Sequence, residues 1–277
     1  MHEITKPSIT IIGLGKVGNA FYKVLPKVGY KMASVFSKSV HNVPFFVEGF
    51  PSENHHLGEL IFLTVPDDKL ESIIDNLDDN YDDFKGKSIV HCSGTLSSDI
   101  LYPLKEKRAN VASFHPIQAI SESTESFNST WFDVEGDERV LMLLSKLTKE
   151  MGANLLEVQK EAKPYLHAAA VVASNYVVTL MKIAEEIAEI GGVDKENIVS
   201  ALIPLMRSSI NNLEEKGVQN SLTGPIARGD VQTVKTHLEI LENHEHLLEL
   251  YKVLGLETTN ISSASEVQLT AIKKLLK

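Results

Sequence analysis

Cysteine is almost absent: Cys92 is the only one in 277 residues. That excludes a disulfide within the chain and fits a reducing compartment. Basic residues are also in short supply, 27 Lys and Arg against 37 Asp and Glu, for a formal charge of -10. Nucleic acid and membrane surfaces are thereby excluded as general partners, since each calls for an electropositive face. An anionic cofactor needs only a local basic pocket. No apolar run approaches the roughly 20 residues of a bilayer span, because the stretch 168–173 soon meets Ser174 and Asn175. The start, Met1-His2-Glu3, lacks the basic then apolar pattern of a secretory signal. The expectation is a cytoplasmic protein with no membrane or nucleic-acid partner. His55-His56 and His244-x-His246 lack carboxylate or Cys partners at ligand spacing, which argues against a metal site. No Gly-x-Ser-x-Gly elbow or kinase-type lysine set is present.

What is present divides the chain in two. Short apolar runs at 8–12, 31–36, 60–65, 88–92 and 111–114 alternate with helix-patterned segments, the rhythm of a parallel sheet flanked by helices. Strand candidates at 131–134 and 154–158 bracket a helix over 138–151 and extend the same sheet. Beyond residue 158 strands disappear, and helix patterns cover 163–190, 195–215, 231–241, 244–254 and 265–276. The expected domains are therefore 1–160 and 161–277. The first half of the 163–190 helix is apolar nearly all round, which predicts a helix enclosed by protein on every side and a homodimer through this domain.

Gly13-Leu14-Gly15-Lys16-Val17-Gly18 follows an apolar strand and opens a helix, the context that the dinucleotide fingerprint requires. Its free helix-start amides suit a pyrophosphate. The fold class that follows is α/β, a Rossmann doubly wound parallel sheet, with an all-α C-terminal domain behind it. In an NAD site an acid closes the next strand and grips the ribose. Here that strand runs into Ser37-Lys38-Ser39, and residues 26–47 contain neither Asp nor Glu. Lys38 between two hydroxyls suits a 2′-phosphate, so NADP is preferred over NAD.

Ligands in such sheets lie beyond the carboxyl ends of the strands. Thr64-Val65-Pro66-Asp67 ends one strand and reads either as a cofactor contact or as a turn leading to an N-capping Asp67. Ser93 and Gly94, after His91-Cys92, suit cofactor or substrate. His115 is the leading acid/base candidate because imidazole titrates near neutral pH; a structural histidine in a turn is the other reading. In the 163–190 helix, His167, Ser174 and Asn175 are nearly the only polar side chains of an apolar stretch. Their partner is either a substrate or a neighbouring helix end. In the turn-rich segment 222–230, Arg228 suits a substrate carboxylate or the open surface, and Asp230 suits an N-cap.

The strings GLGKVG, TVPDD, HCSGTLSSDIL, SFHPIQAI and LTGPIARGD, in this order, resemble a bacterial family of Rossmann-like oxidoreductases with a C-terminal helical domain of unknown function. That family is similar to pyrroline-5-carboxylate reductase, prephenate dehydrogenase and the 3-hydroxyacid dehydrogenases. The resemblance implies NADP binding, hydride transfer and a helical domain that often forms dimers. It departs in the long helix. The 3-hydroxyacid dehydrogenases carry a lysine one turn before an Asn pair, where this chain has Val171 and then Ser174-Asn175. Prephenate dehydrogenases carry Ser-His there, so Ser174 matches and Asn175 does not.

The expected activity is hydride transfer between NADPH and a small carbonyl, hydroxy-acid or imine substrate with an anionic tail. His115 or His167 would handle the proton, Ser93 and Asn175 would orient the reacting atom, and Arg228 would hold the tail. The alternatives are a non-catalytic NADP(H) sensor and a reductase with a deazaflavin partner.

Overall fold

The computed structural model describes residues 6–39 and 42–277, so the expectation placed on Met1-His2-Glu3 lies outside the described residues. The chain divides into two compact units, 1–174 and 175–277. The first holds a sheet of eight strands: β1 Ile9–Ile12, β2 Met32–Ser37, β3 Phe46–Glu48, β4 Leu60–Leu63, β5 Ser88–His91, β6 Asn110–Ile117, β7 Trp131–Gly136 and β8 Asn154–Glu157. Their spatial order is β3-β2-β1-β4-β5-β6-β7-β8. The first six are parallel in the order of a dinucleotide-binding sheet, with the direction of winding reversing between β1 and β4. β7 turns back antiparallel to β6, and β8 runs parallel to β7. The short strand β3 has no sequence signature of its own.

Helices α1 Lys16–Val24, α2 Asp67–Asn80, α3 Tyr102–Glu106, α4 Glu138–Glu150 and α5 Lys163–Ala173 complete this unit. Side chains alternate across the sheet, so each strand feeds two cores. Ile9, Ile11, Phe62, Phe114 and Phe132 pack with α1 and α4; Ile12, Ile61, Leu63 and Ile89 pack with α2 and α3. Phe114 and Phe132 stack with centroids 4.3 Å apart. The residues next to each of them, His115 and Asp133, therefore face the opposite side of the sheet.

β6 runs three residues further than its apolar run suggests. β5 pairs with it only as far as Ser113, so beyond that point β6 has a partner on one side alone and tolerates Pro116. His115 consequently stands within a strand, not in a turn.

Among the described residues the second unit is all helix: α6 Asn175–Ile190, α7 Lys195–Lys216, α8 Val218–Ser221, α9 Pro225–Arg228, α10 Val231–Leu241, α11 Glu245–Thr259 and α12 Glu266–Leu275. Asp230 caps α10 through Thr233 N–H (3.0 Å), and Ser265 with Gln268 forms a capping box on α12. Its small core is Ile226, Val234, Ile272 and Leu276.

The expected 163–190 helix differs in two respects. Ser174 leaves helical backbone (φ -124°, ψ -67°) and separates α5 from α6. Nor is this segment enclosed on every side: Tyr165, Val172, Tyr176 and Val178 are all more than half exposed. Within Lys160–Ile190 the most apolar 18-residue stretch has a mean hydropathy of 1.4, enough by length and composition alone to cross a membrane. His167, Ser174, Asn175 and Lys182 interrupt the apolar residues of this segment. The compact units also divide one helix later than the expected boundary at 160, because α5 is anchored to the sheet through its first residue, Lys163.

β5 ends in His91, which is fully buried. Its Nε2–H donates to the Ser97 carbonyl (3.1 Å) and its Nδ1 accepts from Ser93 N–H (3.2 Å), so both nitrogens of a neutral ring are used. Burial pushes its pKa down to about 4. Between about pH 6.5 and that value the unfolded chain binds a proton that the folded chain refuses, so stability falls as pH is lowered through this window. His91→Gln is expected to flatten that part of the stability-against-pH curve in urea titrations; an unchanged slope would show that the ring does not carry it.

Candidate functional site

The loop after β1 is built by close packing. Gly13 has φ +100°, and a side chain on it would meet the Thr64 carbonyl at 2.8 Å. A Cβ on Gly18 would lie 2.0 Å from the Gly13 carbonyl oxygen. Thr64 Oγ–H donates to that same oxygen (2.6 Å), and Gly13 N–H donates to Phe36 C=O (2.8 Å). Thr64 therefore braces the turn. Gly15 is different: its φ is -73°, and nothing lies within 4 Å of where its Cβ would be. It stands at the N-cap of α1 with no side chain capping the helix, so the amides of the first turn point into open space.

That space is a cavity of about 230 Å³ at the carboxyl ends of β1, β2 and β4. Gly13, Leu14 and Gly15 form its floor, and Thr64, Val65 and Pro66 form another wall. Lys16 and Val17 open α1 beside it. Ser37 and Lys38 line the third side, joined by Lys69 and Ser72 of α2, which the sequence reading did not single out. Lys38 Nζ rests 4.6 Å from the centre of the Phe50 ring, and Ser39 N–H donates to Ser37 Oγ (3.3 Å). The lining carries two lysines and no carboxylate. The arrangement fits a dinucleotide with an extra phosphate, since α1 offers its dipole and free amides to a pyrophosphate.

The loop after β4 is tied to the loop after β5. Asp67, the first residue of α2, accepts from Ser93 Oγ–H (2.7 Å) and Thr95 Oγ1–H (3.1 Å). Ser93 Oγ in turn accepts from the N–H groups of Thr95 (3.2 Å) and Leu96 (3.0 Å). The Ser93 hydroxyl is thus occupied in joining two loops, the role that Asp67 shares in place of N-capping.

The next residue, Gly94, lies between two imidazoles. A Cβ there would be 2.4 Å from His167 Nδ1 and 2.9 Å from His115 Nε2. The two rings stand edge to face with centroids 5.6 Å apart. His115 Nδ1 bonds Asp133 Oδ2 (2.6 Å), its cross-strand neighbour in the β6–β7 register. The other carboxylate oxygen, Oδ1, accepts from Lys163 Nζ (2.6 Å). Lys163 is fully buried and Asp133 is 1% exposed. Burial alone would push the Asp133 carboxyl up, but the bond from His115 and the charge and bond of Lys163 outweigh it and hold it below the usual carboxylate range. Anionic Asp133 can only accept, so His115 carries its proton on Nδ1. His115 Nε2 and His167 Nδ1 have no hydrogen-bond partner among the described residues. β6 thus brings an imidazole nitrogen to the carboxyl end of the sheet, beside Gly94, a side chain of the type that can serve in acid/base chemistry.

The first unit therefore brings together His115, His167, Ser93 and Gly94. Asn175 and Arg228 belong to the second unit: Asn175 opens α6 and Arg228 closes α9, both exposed. Sequence reading missed Asp133 and Lys163. An acid inside the apolar strand WFDVEG was a cue, because a carboxylate buried there requires a partner; nothing in the sequence marked Lys163.

Residues 3–116 match the model of the Rossmann-like domain, and residues 130–258 match that of a domain of unknown function, DUF2520. Comparison with curated proteins finds no match. Among solved structures, the chain is similar to a candidate NADP oxidoreductase from Bacteroides fragilis (18% identity, TM-score 0.70, covering 92% of this chain and 98% of that one). It is similar also to protein TM1727 from Thermotoga maritima (26%, 0.69, 96% and 98%) and to Plasmodium falciparum pyrroline carboxylate reductase with NADP bound (12%, 0.61, 93% and 98%). Over these two stretches the chain is similar to a Rossmann-like domain and to DUF2520, and over most of its length it shares its fold with these solved structures.

Proposed function

We propose that this protein is an NADP-dependent oxidoreductase acting on a small carbonyl, hydroxy-acid or imine substrate. The observation that carries the reading is Gly15. Neither its backbone conformation nor any neighbouring atom calls for glycine at that position, so the remaining demand is a ligand that approaches the start of α1. The first-turn amides of α1 would hold the pyrophosphate, and Lys38 and Lys69 would face the additional phosphate that distinguishes NADP from NAD. The Plasmodium reductase binds NADP on the same fold, which supports the choice. Bound NADPH would supply a hydride.

The proton is the work of His115. In reduction, Nε2–H passes its proton to the substrate oxygen or nitrogen as the new C–H bond forms, and the neutral ring keeps Nδ1–H on Asp133; oxidation runs the same transfer backwards. Gly94 leaves room for both rings at this point, and His167 offers a second nitrogen.

We further propose that the second unit pairs with a second copy of the chain. α6 and α7 leave an apolar groove between them, lined by Val177, Met181, Leu205, Met206, Ile210 and Leu213. Of these, Leu205 and Ile210 are at least half exposed. Apolar surface of this extent marks a contact face.

Three outcomes are expected. Gly15→Val keeps its thermal stability but loses about tenfold or more in NADPH affinity by calorimetry, whereas Lys38→Ala weakens NADPH by about tenfold and leaves NADH nearly unchanged. His115→Ala lowers kcat by roughly 10² to 10⁴ at unchanged cofactor affinity, read from NADPH absorbance across keto acids and cyclic imines; tight binding without turnover of any compound would instead point to a sensor. Light scattering gives twice the chain mass, and Leu205→Lys shifts it to the monomer.

A further inference from the structure

The His115–Asp133 pair leaves one question open: what keeps Asp133 ionised once His115 has released its proton. Asp133 is almost completely buried in β7, between Phe132 and Val134. Next to a neutral imidazole, a carboxylate in such a place favours taking up a proton itself. A protonated Asp133 would donate to His115 Nδ1 and push the ring into its other tautomer, with hydrogen on Nε2. The nitrogen facing Gly94 would then lack the lone pair needed to recover a proton.

Lys163 meets that requirement. It is the first residue of α5, fully buried, with Nζ 2.6 Å from Asp133 Oδ1. The carboxylate oxygens are divided between them: Oδ1 takes the ammonium and Oδ2 takes the imidazole. The other titratable groups around this cluster do not serve the purpose. His91, on β5, is neutral and committed to Ser97 and Ser93. Cys92 follows β5, and burial keeps its thiol protonated. Asp67, at the start of α2, is engaged with Ser93 and Thr95. His167, on α5, meets His115 edge to face and does not bond Asp133. Among the described residues Lys163 is the cation in contact with Asp133.

We propose that Lys163 is a positioning residue: it holds Asp133 as an anion through both protonation states of His115 and thereby fixes Nε2 as the nitrogen that exchanges a proton. The inference rests on the proposed acid/base role of His115 for its catalytic meaning, but the tautomer itself can be measured without turnover. It also assigns α5 a task beyond packing, since the helix start places the ammonium.

The test uses the full chain with ¹⁵N-labelled histidine. In the wild type, the neutral His115 ring is expected to show hydrogen on Nδ1 throughout the neutral range. Lys163→Met is expected to populate the Nε2–H form and, where turnover is measured, to lower kcat at least about tenfold with KM within about twofold. Its alkaline limb in the pH–rate profile moves as well, and Lys163→Arg restores both readouts in large part. Should Lys163→Met fail to fold, the charge-balanced double variant Lys163→Met with Asp133→Asn carries the test, and it too is expected to lose the fixed tautomer. A His115 ring that keeps hydrogen on Nδ1 in these variants overturns the proposal. If the wild type turns over no substrate, the functional reading fails while the spectra still decide the role of Lys163.

Discussion

A single buried carboxylate organises the functional side of this molecule. Asp133 occupies the interior of a strand whose neighbours are apolar, and an uncompensated charge there would cost several kcal/mol. Two donors from different parts of the chain remove that cost, His115 by the register of β6 against β7 and Lys163 from the start of α5. The compensation ties three elements together. It also explains why α5 belongs to the compact unit of the sheet, though its sequence pattern groups it with the helices that follow.

The sheet serves this arrangement through its two faces. One face presents the phenylalanine stack to α1 and α4, which fixes the spacing of β6 and β7. The other presents His115 and Asp133, one residue along each strand. A slip of one residue in register would exchange the faces and bury the imidazole among the rings, so the packing of Phe114 and Phe132 keeps the His115–Asp133 pair in place. The loops follow the same logic: Thr64 braces the glycine turn, and Asp67 with Ser93 links that wall to the turn carrying Gly94. The cavity wall and the turn carrying Gly94 are thus connected by hydrogen bonds within one unit.

The second unit has a different balance. Its buried core is small, and large apolar side chains of α6 and α7 remain on the surface. Burial of such side chains is the main source of stability in helical bundles, so a second copy laid over them would contribute what the unit's own core does not.

Sequence alone determined the α/β character of the first half, the helical second half, the glycine-rich turn after β1 and the basic close of β2, because each rests on local chemistry. Periodicity reports strands and helices, glycine reports a turn, and the absence of an acid after β2 reports charge. His115 was legible as a titratable group at the right end of the sheet. Its partners were not, since Asp133 is 18 residues away and Lys163 is 30 beyond that, and no local pattern encodes a contact made by antiparallel register and a helix start. Gly15 and Gly18 look alike in sequence; only the space around each shows that one is required by packing and the other leaves room for a ligand. Likewise, the apolar helix read as buried is largely exposed, because hydrophobicity specifies that a surface is to be covered, while the tertiary structure decides whether the same chain covers it.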